Sequence, residues 1–405
     1  MNEQPAGLAD LARVFLKIGA MSYGGPAIMG IMQTEIQEKR QWIGKEKFIE
    51  GLALVNMLPG PGATQLAIFI GHAKGGLAGG IVAGACFIIP AFAIMLTLAG
   101  AYVAFGALPS MRNAFYGIGP IVVGIFAVAV YRLARGTIKE RSQVAIAFAT
   151  VAVMLWTSFG LVATLLAAGC VGIALFYSWR AGLIVFLIVA VAFAALYLVG
   201  GYPASPDLPI SNAGQRSGSP TVPALWEVGA FLLKVGAFTF GGGLSMLAFI
   251  QEQVVNQLGW LTPREFVDGL ALGQLTPGPI LMLAAFIGFK LFGVLGAAVA
   301  AGAIFLPSFL MILSILPLLQ KIKDLQWLRA FMRGVAPAVI GALAVSLVQM
   351  APHAAPDIFT WCLLALTVAT MLLYKVGALP LMGGGAAVGL LTRGKAWDLI
   401  LGLVK

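Results

Sequence analysis

The stretch WIGKEKFIEGLALVNMLPGP at residues 42–61 returns at residues 260–279 as WLTPREFVDGLALGQLTPGP, with nine identities in twenty. Shared hydrophobicity would not repeat a tryptophan, Phe48 as Phe266, the run Gly51-Leu52-Ala53-Leu54 and the tripeptide Pro59-Gly60-Pro61 at one spacing. Upstream, LKIGAMSYGG at 16–25 matches LKVGAFTFGG at 233–242, so even Lys17 has a counterpart, Lys234. Downstream, Phe69-Ile70-Gly71 pairs with Phe286-Ile287-Gly288, Pro90 with Pro307, Arg112 with Arg329 and Pro120 with Pro337. The chain is a duplication with a shift of about 217 residues. Between the copies, residues 201–223 are rich in Pro, Ser and Gly, which disfavours helix and burial. That linker divides a first repeat, 1–200, from a second, 224–405.

Hydrophobic residues fill 60% of the 405 positions and charged residues only 10%, against about 45–50% and about 25% in soluble domains. Apolar runs such as Gly75–Phe105 and Ala181–Gly200 exceed the roughly 20 residues needed to cross the hydrocarbon core. Lipid supplies no hydrogen-bond partners, and the runs lack barrel alternation, so the expected class is an all-α polytopic membrane protein. Seven helical segments precede the second copy, which places it upside down relative to the first, the inverted-repeat plan. If every segment crosses, 13 Lys and Arg face the side of the N-terminus and ten the other. If the first two segments of each half dip in and return, the division becomes 16 to seven, which the positive-inside rule prefers. The residues alone leave that choice open.

The N-terminus, with Glu3 and Asp10, does not resemble a cleaved secretory signal. A net charge of +10 sits mainly in short loops, where it orients the chain, so no nucleic-acid partner is expected. Cys86, Cys170 and Cys362 are far apart in apolar segments and form neither a disulfide framework nor a metal motif. No haem, iron–sulfur, nucleotide-binding or GxxxxGK[ST] pattern is present, which argues against a reductase or an ATP-driven pump.

Two motifs occur in both halves and should break helices. The first is Ser22-Tyr23-Gly24-Gly25-Pro26 with Thr239-Phe240-Gly241-Gly242-Gly243; the second is Pro59-Gly60-Pro61 with Pro277-Gly278-Pro279. A break at membrane depth begins a new half-helix, whose free N–H groups and dipole attract an anion without a dedicated cation. Single breaks are often packing kinks; breaks paired between the halves point to a binding site. Lys17 and Lys234 precede the Gly-Gly pairs and could line the anion path or snorkel to an interface. Asn56, Gln274, Thr64 and Thr276 join Ser22 and Thr239 as possible donors to an oxyanion, or as half-helix caps. Glu50 and Asp268 are repeat-matched acids that could carry coupling protons or form salt bridges. Glu35 and Glu252 read more simply as salt-bridge partners, and Trp42 and Trp260 as interface anchors.

The Lys-x-Gly-x-x-x-[Tyr/Phe]-Gly-Gly, [Glu/Asp]-Gly-Leu-Ala-Leu…Pro-Gly-Pro and Phe-Ile-Gly…Pro-x-Phe stretches together resemble the chromate ion transporter family in its long, two-domain form, from about Leu11 to Arg393. This resemblance implies efflux of chromate across a bacterial inner membrane, conferring resistance, driven by the electrochemical gradient, with sulfate as a close competitor and without a cofactor. The residues do not fix direction, which leaves uptake or exchange of sulfate or a related oxyanion as the alternative activity and a homodimer open as the assembly. The family's signature residues fall on Lys17, Gly24, Gly25, Pro26, Pro59, Gly60 and Pro61, and on Lys234, Gly241, Gly242, Pro277, Gly278 and Pro279. Gly243 stands where the first half has Pro26, so the halves need not contribute equally.

Overall fold

A computed structural model describes residues 7–22, 25–157, 160–200, 223–239, 243–315, 325–374 and 376–393. Most of the linker, Tyr23, Gly24 and Gly241–Gly242 lie outside these described residues. Within them the chain forms helices and no strand. The first half comprises α1 (Leu8–Met21), α2 (Gly25–Met32, continued by a π-helical turn at Gln33–Lys39), α3 (Lys45–Met57), α4 (Gly62–Phe105), α5 (Pro109–Thr137), α6 (Arg141–Trp156), α7 (Leu161–Phe176) and α8 (Trp179–Gly200). The second comprises α9 (Leu225–Ala237), α10 (Ser245–Ile250, continued by a π-helical turn at Gln251–Gln257), α11 (Pro263–Leu275), α12 (Leu283–Ile315), α13 (Gln326–Ala354), α14 (Ile358–Leu373) and α15 (Ala378–Arg393). The repeat is preserved in length: α5 and α13 have 29 residues each, and α6, α7, α14 and α15 have 16 each.

The 44 residues of α4 would extend about 66 Å if straight, twice the roughly 30 Å of a hydrocarbon core. The helix instead folds back at Gly75 and Gly76, where φ/ψ turns to −134°/19° and 60°/−152°. Gly71 and Gly79 face each other across this corner with no room for a Cβ. The second half repeats the corner at Phe292 (−138°/21°) and Gly293 (62°/−147°), with Gly288 against Gly296. Each of these helices therefore has a short leg from mid-membrane to one surface and a long leg that crosses.

The question of crossing or re-entry is decided by two contacts. Lys17 Nζ lies 3.8 Å from Glu35 Oε1, although 18 residues of straight helix would separate the two by about 27 Å. So α1 and α2 fold back on the same side of the membrane. In the second half the rings of Phe231 and Trp260 meet edge-to-face at 5.6 Å, which folds α9 and α10 likewise. The next pair does the same: Gly51 packs on Phe69 and Leu66, and Gly269 on Phe286 and Leu283, so α3 and the short leg of α4 form one hairpin and α11 and the short leg of α12 another. Residues 12–32 and 226–250, each predominantly apolar and long enough to be read as one crossing segment, thus form pairs of half-helices instead. With five crossings following in the first half, the second half enters from the opposite surface, and the repeats are inverted.

The crossing helices interlock the halves. α5 packs on α14 and α15 of the second half, and α13 packs on α6 and α7 of the first. Glycine makes both approaches possible: Gly117 meets the backbone of Gly385 and Gly389, and Gly334 meets that of Ala168 and Gly172. Large apolar side chains on α8, including Ile184, Ile188 and Val191, face outward, where lipid rather than water receives them.

Single cysteines on a cysteine-free background should report this topology to a membrane-impermeant thiol reagent. Gly7→Cys, Gln41→Cys and Gly76→Cys should label from one face of the membrane, and Gly259→Cys and Gly293→Cys from the other. Labelling of Gly7 and Gln41 from opposite faces would contradict the re-entrant hairpin.

Candidate functional site

The apexes of the four hairpins are built from the duplicated motifs. α1 ends at Ser22, which is extended (φ −92°, ψ 110°), and its Oγ donates back to Ile18 O at 2.5 Å. Thr239 repeats this with Val235 O at 2.6 Å. α3 ends at Leu58 and α11 at Thr276, each followed by Pro-Gly-Pro, and each α-helix or turn resumes after the second proline. Proline has no amide hydrogen, so Pro-Gly-Pro carries a single N–H donor, on its glycine. In both halves that donor crosses to the other half: Gly60 N donates to Thr239 O at 2.5 Å, and Gly278 N to Ser22 O at 2.5 Å. The glycines adopt φ +130° and +101°, which L-residues with a Cβ avoid.

Each of these hydrogen bonds joins an apex of one half to an apex of the other, and Met29 beside Gly62 and Leu281 beside Gly243 connect the two pairs. There, half-helices begin at Gly25, Gly62, Ser245 and Ile280, with first-turn amides that have no acceptor within their own helix. Ser22, Thr239, Thr276, Pro61, Gly243 and Pro277 are buried in this region, whereas Pro59, Gly278 and Gln274 are partly buried. Thr276 Oγ1 caps its own helix by donating to Gly273 O at 2.8 Å. Gly24, Gly241 and Gly242 lie outside the described residues, as do the side chains of Pro26 and Asn56.

The charged candidates are placed differently. Lys17 is engaged with Glu35, whose carboxylate also meets Lys39 and Arg40 at 3.4 Å each. Burial pushes Glu35 upward, but the Lys17 charge and the Lys39 and Arg40 contacts outweigh it and hold the acid below its ordinary range. Lys234 is half-buried on α9, and its repeat-matched acid, Glu252, instead accepts from Asn256 and Gln257 at 3.0 and 3.1 Å. Asp268 is buried and accepts a hydrogen bond at 2.8 Å from Tyr102 of the other half, whose ring stacks edge-to-face on Phe115 and Phe286. Glu50 is only partly buried, so the matched acids occupy unlike surroundings.

Sequence reasoning missed Tyr102, Gln65 and Ser308. Gln65 and Ser308 are fully buried beside Gly60, and Gln65 Nε2 donates to Pro59 O at 2.6 Å. Tyr102 and Ser308 are isolated polar residues in apolar runs and Gln65 follows Thr64 in one, which was the available signal. Among the described residues no group of three or more His, Cys, Asp or Glu could hold a metal ion.

Inverted repeats, broken helices and apexes meeting at mid-membrane define an integral membrane protein of transporter architecture. A family model described as chromate transporter matches residues 9–173 and 226–390. The chain is 35% identical to a chromate transport protein of Cupriavidus metallidurans over 94% of this chain and 92% of that one. It is 32% identical to a probable chromate transport protein of Synechococcus elongatus over 87% of both, and 30% identical to a chromate transport protein of Pseudomonas aeruginosa over 86% and 82%. No solved structure matches. The chain belongs to the chromate transporter family and is a multi-pass protein of the bacterial inner membrane.

Gly60→Ala and Gly278→Ala should each cost about 1–3 kcal/mol in backbone strain, with further steric cost because the space beside each glycine is occupied. Thermal unfolding in detergent should show both variants well below wild type. Gly136→Ala, at an exposed helical position with open space around it, should be neutral or slightly stabilising.

Proposed function

We propose that this protein is a secondary active transporter that exports chromate from the cytoplasm, driven by the electrochemical gradient, and so confers resistance. The observation that carries the reading is the pair of cross-half bonds, Gly60 to Thr239 and Gly278 to Ser22, each of which joins a hairpin apex of one half to an apex of the other. Helix N-termini favour an anion there through free N–H groups and aligned dipoles. The names of the family and of its members supply chromate as the anion. The two repeats, 1–200 and 224–405 joined by 201–223, act as the two moving parts, and alternating access opens the centre first to one surface and then to the other. Lys17 and Lys234 contribute positive charge along the approach, with Glu35 tempering Lys17 in this conformation.

Asp268 is the coupling candidate, because it is a buried acid bonded across the halves to Tyr102; Glu50 has the lesser claim. Movement of one half against the other would alter that bond and with it the proton affinity of the carboxyl group. The positive-inside rule orients the protein with the Lys39–Lys47 cluster in the cytoplasm.

Everted membrane vesicles test the function. They should accumulate labelled chromate against its gradient, and collapse of the membrane potential should abolish accumulation. Equilibration without accumulation would identify a passive pathway instead, and preferential uptake of sulfate would reassign the cargo. Asp268→Asn and Tyr102→Phe should each lower the initial rate about tenfold or more while the protein still inserts, as expected when a buried charged hydrogen bond is lost. Lys17→Ala and Lys234→Ala should also lose transport; undiminished flux in both would remove the lysines from the path.

A further inference from the structure

The two Pro-Gly-Pro apexes share a backbone but not their surroundings. Beside Gly60, a Cβ would stand 2.8 Å from Ser308 Oγ and also collide with the Gln65 amide. Beside Gly278, the neighbour at the same 2.8 Å is the methyl group of Ala91, the repeat counterpart of Ser308. The segments that leave the apexes differ in the same sense: Gly62-Ala63-Thr64-Gln65 in the first half, Ile280-Leu281-Met282-Leu283 in the second. Thr64, Gln65 and Ser308 are each 0% exposed. Thr64 Oγ1, Gln65 Oε1 and Ser308 Oγ have no hydrogen-bond partner among the described residues, a costly state for buried polar atoms.

The half-helix starts differ as well. After Pro61 the chain enters an α-helix whose first internal bond is Gln65 N to Pro61 O at 3.0 Å, so the amides of Gly62, Ala63 and Thr64 have no helical acceptor. After Pro279 it enters a 3₁₀ turn, and Met282 N already bonds Pro279 O at 3.1 Å. The orientation of Gln65 is also fixed. Pro59 O can only accept, so Nε2 must face it and Oε1 must face away.

Resting on the oxyanion reading above, we infer that the anion binds asymmetrically, in a seat at the Pro59-Gly60-Pro61 apex. The Thr64 and Ser308 hydroxyls and the free amides that open α4 donate to it, and the mirror position in the second half is a structural copy. Gln65 is a positioning residue: it holds the Pro59-Gly60-Pro61 turn and offers Oε1 to a water that bridges to the anion. Ser308 belongs to the second repeat and Thr64 to the first, so the seat is complete only while the two halves are apposed.

The test is chromate uptake by everted vesicles across a concentration series. Ser308→Ala and Thr64→Val should each raise KM at least about tenfold, while Ser308→Thr, which keeps the hydroxyl, should stay within about threefold of wild type. The mirror change Met282→Leu, which conserves volume, should leave KM unaltered. Size-exclusion profiles in detergent and membrane yield guard against misfolding. Wild-type KM in both hydroxyl-deletion variants, or an equal rise in Met282→Leu, would overturn the seat while leaving chromate transport intact. Absence of oxyanion flux in the wild type would overturn both.

Discussion

One amide hydrogen in each Pro-Gly-Pro holds this architecture together. The flanking prolines cannot donate, so the tripeptide offers one N–H at the tip of a hairpin set at membrane depth. Leaving that donor unpaired would cost roughly 1–3 kcal/mol, and its own helix cannot accept it because the backbone has turned. The acceptor is the carbonyl at the tip of the opposite half's other hairpin, Thr239 for Gly60 and Ser22 for Gly278. Each repeat therefore satisfies the other, and the broken backbone is tolerated at a depth where lipid would not accept it.

The interlocked crossing helices follow the same logic at larger scale. α5 and α13 each find their closest partners in the opposite repeat, through glycine faces that let backbones touch, as in other close helix pairs in membranes. Crossing helices thus lock the halves together beside four hairpins that do not cross. The halves depart from symmetry at the tips, with Ser308 where the first half has Ala91, and along α11, with Asp268 bound to Tyr102 where the first half has Glu50.

Much of this was legible in the residues. Duplication, inversion and the positions of the breaks came from glycine, proline and tryptophan spacing, because these residues are rare enough in apolar runs to align. Hydropathy did not divide 12–32 into two legs, since a half-helix that returns to its own surface is as apolar as one that crosses. The charge count leaned toward re-entry without deciding it; the Lys17–Glu35 contact decides it, and that pairing spans a fold-back that only three dimensions display. Gln65 and Ser308 escaped notice for a related reason. Leu283 and Ala91 stand at their counterpart positions, so the repeat gives Gln65 and Ser308 no polar match to align.

The exchange of partners between α5 and α13 also bears on how the chain is made. When synthesis has reached α8, α5 already sits in the bilayer, but α14 and α15, the surfaces that will cover its glycine face, are still uninserted. The first repeat must wait in the membrane with Gly117 and its neighbours turned to lipid, and the tip of Pro59-Gly60-Pro61 must wait for Thr239. Maturation is then a late, long-range closure rather than helix-by-helix assembly, and a ribosome that stalls in the second repeat leaves behind a fragment with no means of completing itself.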